Sequence, residues 1–143
     1  MTSLKFATSL HICLLLAHAG ADAPERAVSS AFLAGSIGAN AVVVRRALAD
    51  LAAAKLVETR SGAGGGAWLA AKPAKIRLSQ IYAAAEEPAG PGFRAHGNPA
   101  CPVGRLAPGV IAGVIAEMNK ASLAVLARQN LSELLKKLDA AIS

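Results

Sequence analysis

Apolar positions recur every three or four residues along most of this chain, and the breaks in that rhythm mark its elements. A first run, from about Thr2 to Ala19, sets Phe6, Leu10, Leu14 and Ala17 on one helical stripe, with Thr2, Lys5, Ser9 and His18 largely off it, and stops at Gly20. A polar link containing Pro24 follows. Ser29 is placed to cap a second helix that continues to about Ser36, Gly38 to Asn40 turn the chain, and Asn40 is placed to cap a third helix over about Ala41 to Ala54. Within that helix Val44, Leu48 and Leu51 fall on the inward line, which turns Val42, Arg45, Arg46 and Ala49 outward.

The period then shortens. Leu56 to Arg60 reads as a strand, Ser61 to Gly66 as a tight glycine-rich tip, and Ala67 to Ala70 as the returning strand, with Trp68 anchoring the hairpin to the core. Three residue types upstream fit a close pair of helices. Ala34 is small where the helices must approach, Gly38 can take a positive φ in the turn, and Val44 packs the next helix back on the first. The stretch Ser29 to Trp68 is therefore a winged helix-turn-helix in outline. The tip cannot be a phosphate-binding nucleotide loop of the usual kind, because no Lys-Ser or Lys-Thr pair follows it and Pro73 soon interrupts the chain.

Beyond the hairpin, Glu86 to Pro108 holds five of the seven prolines and shows no periodicity, so it reads as a surface loop. From about Arg105 to Arg128, Leu106, Val110, Ile111, Val114, Ile115, Met118, Ala121 and Val125 form a stripe broader than contact with one small domain needs, with Pro108 tolerated in the first turn. Asn130 and Glu133 then open a last helix whose apolar face is Leu131, Leu134, Leu135, Leu138 and Ile142. The expected fold is mainly α with a small β-hairpin wing: a DNA-binding domain over 1–87, a loop over 88–104, and dimerisation helices over 105–143.

Composition sharpens this picture in two ways. Aromatic residues are only 3% of the 143, so the core must come from Leu, Ile, Val and Ala, and a second subunit is an economical way to bury more. The formal charge is +6, and its excess is local: Ala41 to Leu78 holds seven basic residues against Asp50 and Glu58, while the flanking segments are close to neutral. A phosphate-binding surface needs that coincidence of cations with the helix pair and hairpin. The first turns of a helix in the major groove read bases, so Asn40, Ala41, Val42, Arg45 and Arg46 are the expected contact set, with the tip glycines Gly64 and Gly65 set against the sugar-phosphate backbone and Arg60 placed to enter the minor groove. A solvated face, with an intrahelical pair to Asp50, is the structural alternative for the two arginines.

Lys5, the apolar run Leu10 to Ala17 and the small residues Ala19, Ala21 and Ala23 resemble a secretory leader, but His11 and the amphipathic stripe point to a structural helix, and no other segment is expected to span a bilayer. Two distant cysteines, Cys13 and Cys101, make no disulfide framework and suit a reducing compartment.

The runs NAVVVRRALADLAAAKLV, SGAGGGAWLA, KPAKIRLSQIYAA and NPACPVG, followed by a long helix, resemble the IscR/NsrR/CymR family of bacterial winged-helix transcription regulators, and within it the YwnA-like branch without an iron-sulfur cluster. The likeness covers nearly the whole chain. It implies a homodimeric, cytoplasmic regulator, mostly of the repressor kind, whose long C-terminal helix crosses the partner subunit. Its implied DNA contacts are Asn40, Val42, Arg45 and Arg46, with Arg60 and the glycine tip as the wing. Many members have arginine immediately before the tip, where this chain has Ser61. Iron-sulfur members carry three closely spaced cysteines in the loop before the long helix, where this chain has Cys101 alone. One thiolate and His96 cannot hold a cluster or a zinc ion, so no metal and no cofactor is expected.

The functional expectation is a sequence-specific DNA-binding repressor acting on a pseudo-palindromic operator in double-stranded DNA, with no enzymatic activity and no membrane partner. A winged-helix module that binds protein instead of DNA is the alternative from another class. Retention on random duplex DNA at low salt separates the two. A third reading makes Cys101 the redox-responsive group, since Arg94, His96 and Arg105 nearby in sequence and the start of the following helix favour a thiolate. Any small-molecule effector is unreadable from the sequence.

Overall fold

A computed structural model describes residues 3–86 and 90–143. Six α-helices and one hairpin follow in the order α1 (Lys5–His18), α2 (Ser30–Ile37), α3 (Ala41–Ala53), β1 (Val57–Arg60), β2 (Gly66–Leu69), α4 (Leu78–Ala85), α5 (Pro102–Ala127) and α6 (Leu131–Ile142). Single 3-10 turns at Pro24–Arg26 and Pro73–Lys75 bend the links before α2 and α4. The expected start of the first helix at Thr2 and the expected domain boundary at 87/88 lie outside the described residues. Helix α4 had no counterpart in the periodicity, because eight residues give barely two turns of pattern.

Helix α1 is the hub, packed against α2, α3, α4, α6 and β2. Its fully buried line is Ile12, Cys13 and Leu16, with Thr8 and Ser9 beside it, while Phe6, Leu10, Leu14 and Ala17 are only partly covered. This corrects the expected stripe. A helix enclosed on several sides buries more than one line, and a single apolar stripe read from sequence picks out only one of them. Phe6 meets Tyr82 of α4 edge to face, with ring centroids 5.1 Å apart.

The hairpin pairs Val57 with Leu69 through Arg60 with Gly66, antiparallel, and Val28 adds an isolated bridge to Ala67. Gly66 is forced by that third segment: its φ is 153° and a Cβ would stand 2.3 Å from the Val28 carbonyl oxygen. Trp68 is 7% exposed, and its Nε1–H donates to Glu58 Oε2 at 2.9 Å, so the indole is held in the core by its polar end too.

Helix α5 starts one turn earlier than expected, with Cys101 as its N-cap and Pro102 in its first position. Pro108 therefore lies inside the helix, in its second turn, and has no N–H to give the Gly104 carbonyl. Gly97 of the preceding loop packs over that same carbonyl, so closely that a Cβ would be 2.0 Å from the oxygen. None of the residues of α5 is buried, and Val103, Leu106, Val110 and Val114 are more than half exposed. By length and apolar content α5 would suffice to cross a bilayer, which corrects the expectation that no segment does.

Helix α6 behaves differently from α5, although the sequence grouped the two. It folds back on α1: Leu131 is buried, its N–H donates to the Ile76 carbonyl at 2.9 Å, and Asp139 faces His18 at 3.1 Å. Asn130 caps it, accepting from the Glu133 N–H at 2.9 Å. The Glu133 carboxylate takes the side-chain amide of Asn130 at 3.1 Å.

Candidate nucleic-acid interface

Helices α2 and α3 meet at 111° across Gly38, the spread of a helix-turn-helix pair. Local chemistry sets that angle. Ser29 Oγ accepts from the Phe32 N–H at 3.1 Å to start α2, Gly38 ends it at φ 75°, and Asn40 Oδ1 accepts from the Val43 N–H at 2.9 Å to start α3. Val44, Ala47, Leu48 and Leu51 then lock α3 into the core.

Val42, Arg45, Arg46 and Ala49 are exposed on the outer side of α3, as are Ala41, Val43 and Asp50. Arg45 and Arg46, adjacent in the chain and so about 100° apart around the helix, border different clefts on the two flanks of its outer face. Arg45 borders an open groove of about 490 Å³ between α3 and the hairpin, whose other walls include Ser29, Ser30, Thr59 and Arg60. Arg46 borders a crevice of about 500 Å³ between α3 and the start of α1, shared with Lys5, Thr8, Asn40 and Asp50. Among the described residues neither arginine has an ion-pair or hydrogen-bond partner, so the alternative of a pair with Asp50 is not what the structure shows.

The remaining sequence-derived candidates are distributed as follows. Arg60 ends β1, and its Nη2–H donates to the Gly64 carbonyl at 3.2 Å, folding the side chain over the tip. Gly64 has φ 73°, and a Cβ on Gly65 would stand 2.2 Å from the Arg60 carbonyl oxygen, so both tip positions depend on glycine. Asn40 is exposed at the mouth of the crevice, with its carbonyl oxygen committed to the cap. Lys5, Ser30 and Thr59 were not singled out from sequence. No local pattern could reveal them, since each reaches the arginines through tertiary packing.

Residues 2–137 match the profile of Rrf2, described as an iron-dependent transcriptional regulator. The chain belongs to the Rrf2 family of transcriptional regulators. It is 29% identical over 140 residues to YwnA of Bacillus subtilis (strain 168), named as an HTH-type transcriptional regulator, covering 96% of this chain and 99% of that one. The structure is similar to T. potens IscR, at a TM-score of 0.69, 25% identity and coverage of 99% and 90% of the two chains. It also shares the fold of CymR, the global cysteine regulator of B. subtilis, at 0.66, 22% identity and coverage of 96% and 97%. The winged helix-turn-helix with a long C-terminal helix is thus the Rrf2 architecture, and DNA-binding regulation of transcription is the activity of the family.

The donor set of this Rrf2 chain does not fit the iron chemistry in the family description. Cys101 is exposed, and its Sγ accepts from the Gly104 N–H at 3.4 Å as the cap of α5. Cys13 is sealed in the core, where burial pushes its thiol up to about 12. Among the described residues no three His, Cys, Asp or Glu side chains converge as metal ligands. A lone thiolate leaves most coordination positions of an iron-sulfur cluster without a protein ligand.

Proposed function

We propose that this protein is a cytoplasmic, homodimeric repressor that binds a pseudo-palindromic operator through Asn40, Val42, Arg45 and Arg46 of α3, with Arg60, Gly64 and Gly65 of the hairpin lying along the backbone. The observation that carries the reading is the pair of exposed arginines on the outer face of α3, without a partner among the described residues and each beside a further cation, Arg60 on one side and Lys5 on the other. Four cations around a helix presented at 111° to its neighbour form a surface for the walls of a DNA groove. The bare stripe of α5 supports the dimer. A lipid would cover that stripe too, but Glu117, Asn119, Lys120 and Ser122 crowd its second half, where a bilayer interior penalises them and a helix pair does not.

The test is titration of the protein against an operator selected from randomised DNA, at several salt concentrations. Arg45→Ala and Arg46→Ala should each weaken binding without loss of helical signal and reduce the log-log salt slope by about 2, one phosphate contact for each protomer of the dimer. Unchanged affinity in both variants would refute this placement. Exposure of Cys101 at the α5 cap supports a second reading, a thiol response. Hydrogen peroxide would convert the thiol to a sulfenic acid with release of water, and affinity should then change in the parent but not in Cys101→Ser.

A further inference from the structure

We infer that α3 reads its operator chiefly through thymine methyl groups, with Val42 as the specificity-determining residue; this rests on the DNA-binding reading above and adds the chemistry of the bases it selects. Three observations converge on it. The carboxamide that could bond adenine with both its atoms is Asn40, and its oxygen already accepts from the Val43 N–H at 2.9 Å, so pairing with adenine would cost α3 its cap. The two side chains that could bond guanine splay apart, Arg45 toward the wing groove and Arg46 toward Lys5, placing their charges over the flanks of the helix, where phosphates pass.

The ridge left between them is apolar. Val42 precedes Arg45 by three residues and Arg46 by four, so it lies between them one turn nearer the start of α3, and it is 47% exposed. Ala49, seven residues on, extends the same ridge without a hydrogen-bonding atom on its side chain. In the major groove the one apolar feature of a base edge is the C5 methyl of thymine, and a β-branched side chain is stiff enough to meet it at low entropic cost. Discrimination then comes from methyl burial at the ridge, and affinity from the cations beside it.

Uracil scanning tests this directly, because replacing thymine by uracil removes the methyl and leaves every hydrogen-bonding atom in place. In the selected operator, uracil at one or two positions per half-site should weaken the parent about fourfold each, the worth of one buried methyl. In Val42→Ala those same replacements should cost little, whereas Val42→Thr, which keeps the β-branch and one methyl, should retain most of the response. Uracil tolerated within twofold at every position, or an equal loss in the parent and Val42→Ala, overturns the inference while leaving salt-dependent DNA binding intact. Failure to bind any duplex at low salt overturns both it and the function it rests on.

Discussion

Three helices close the same way, and one of them uses the wrong residue. At the end of α1 the Ala21 N–H returns to the Leu16 carbonyl across Gly20, and at the end of α2 the Ala39 N–H returns to the Ala34 carbonyl across Gly38. At the end of α3 the Leu56 N–H returns to the Leu51 carbonyl across Lys55, whose φ is 62°. The left-handed conformation costs a side chain about 1–2 kcal/mol, partly offset in glycine by its freer unfolded state. Lys55→Gly should therefore raise stability by about 0.5–1 kcal/mol, or roughly 2–4 °C in a thermal melt. A lower melting temperature would show that the lysine stem contributes packing that outweighs the strain.

The two cysteines make a second contrast at this scale. Maleimide should add once to the native protein, at exposed Cys101, and twice after denaturation, as read by intact mass. Burial raises the Cys13 thiol from its ordinary value near 9 to about 12, so the folded state holds that proton more tightly than the unfolded state. Its contribution to stability is whole below pH 9 and is lost as pH rises toward 12. The stability gap between the parent and Cys13→Ala should accordingly narrow over that window in denaturant titrations, and a constant gap would contradict it.

Among the elements, the hairpin shows how far a sequence can be read and where reading stops. The run of glycines announced a tight tip, and Trp68 announced an anchor. The close approach of Val28 to Gly66 was not visible, because that bridge joins segments far apart in the chain. Gly66→Ala should displace β2 from Val28, detected as a red shift of Trp68 emission with helical circular dichroism retained. Unaltered emission would mean the hairpin yields without moving its anchor. Helix starts were legible to the residue at Ser29 and Asn40 because a cap is a contact over three residues. The start of α5 was misplaced because its cap is a cysteine, which local propensity does not favour there.

For the whole molecule, the decisive contrast is between α5 and α6. Both carry apolar faces, yet α6 covers α1 and buries Leu131, whereas α5 meets α4 along one side, buries no residue of its own and leaves a broad apolar stripe exposed. At 26 residues α5 is about 39 Å long, enough to reach across a two-fold axis, and its exposed valines are where a second copy would seat. Val110→Glu combined with Val114→Glu should halve the mass measured by sedimentation and lower affinity for a full operator on the order of tenfold or more, while each half-site is still bound weakly. A variant that stays dimeric would move the interface elsewhere.

The sequence by itself determined the kind and order of the elements read in it, the turn at Gly38, the outward line of α3, the concentration of charge and the family, since all of these rest on contacts a few residues apart or on composition. Tertiary packing alone decided which neighbours Arg45 and Arg46 meet, one beside Thr59 and Arg60, the other beside Lys5, and that α6 is absorbed by α1 while α5 meets α4 and keeps its apolar stripe exposed. The physical reason is the same in each case. A cap or a helical stripe is fixed by backbone geometry over one or two turns, whereas the partner of an apolar face or of a cation is chosen by which distant segments can share the same buried space.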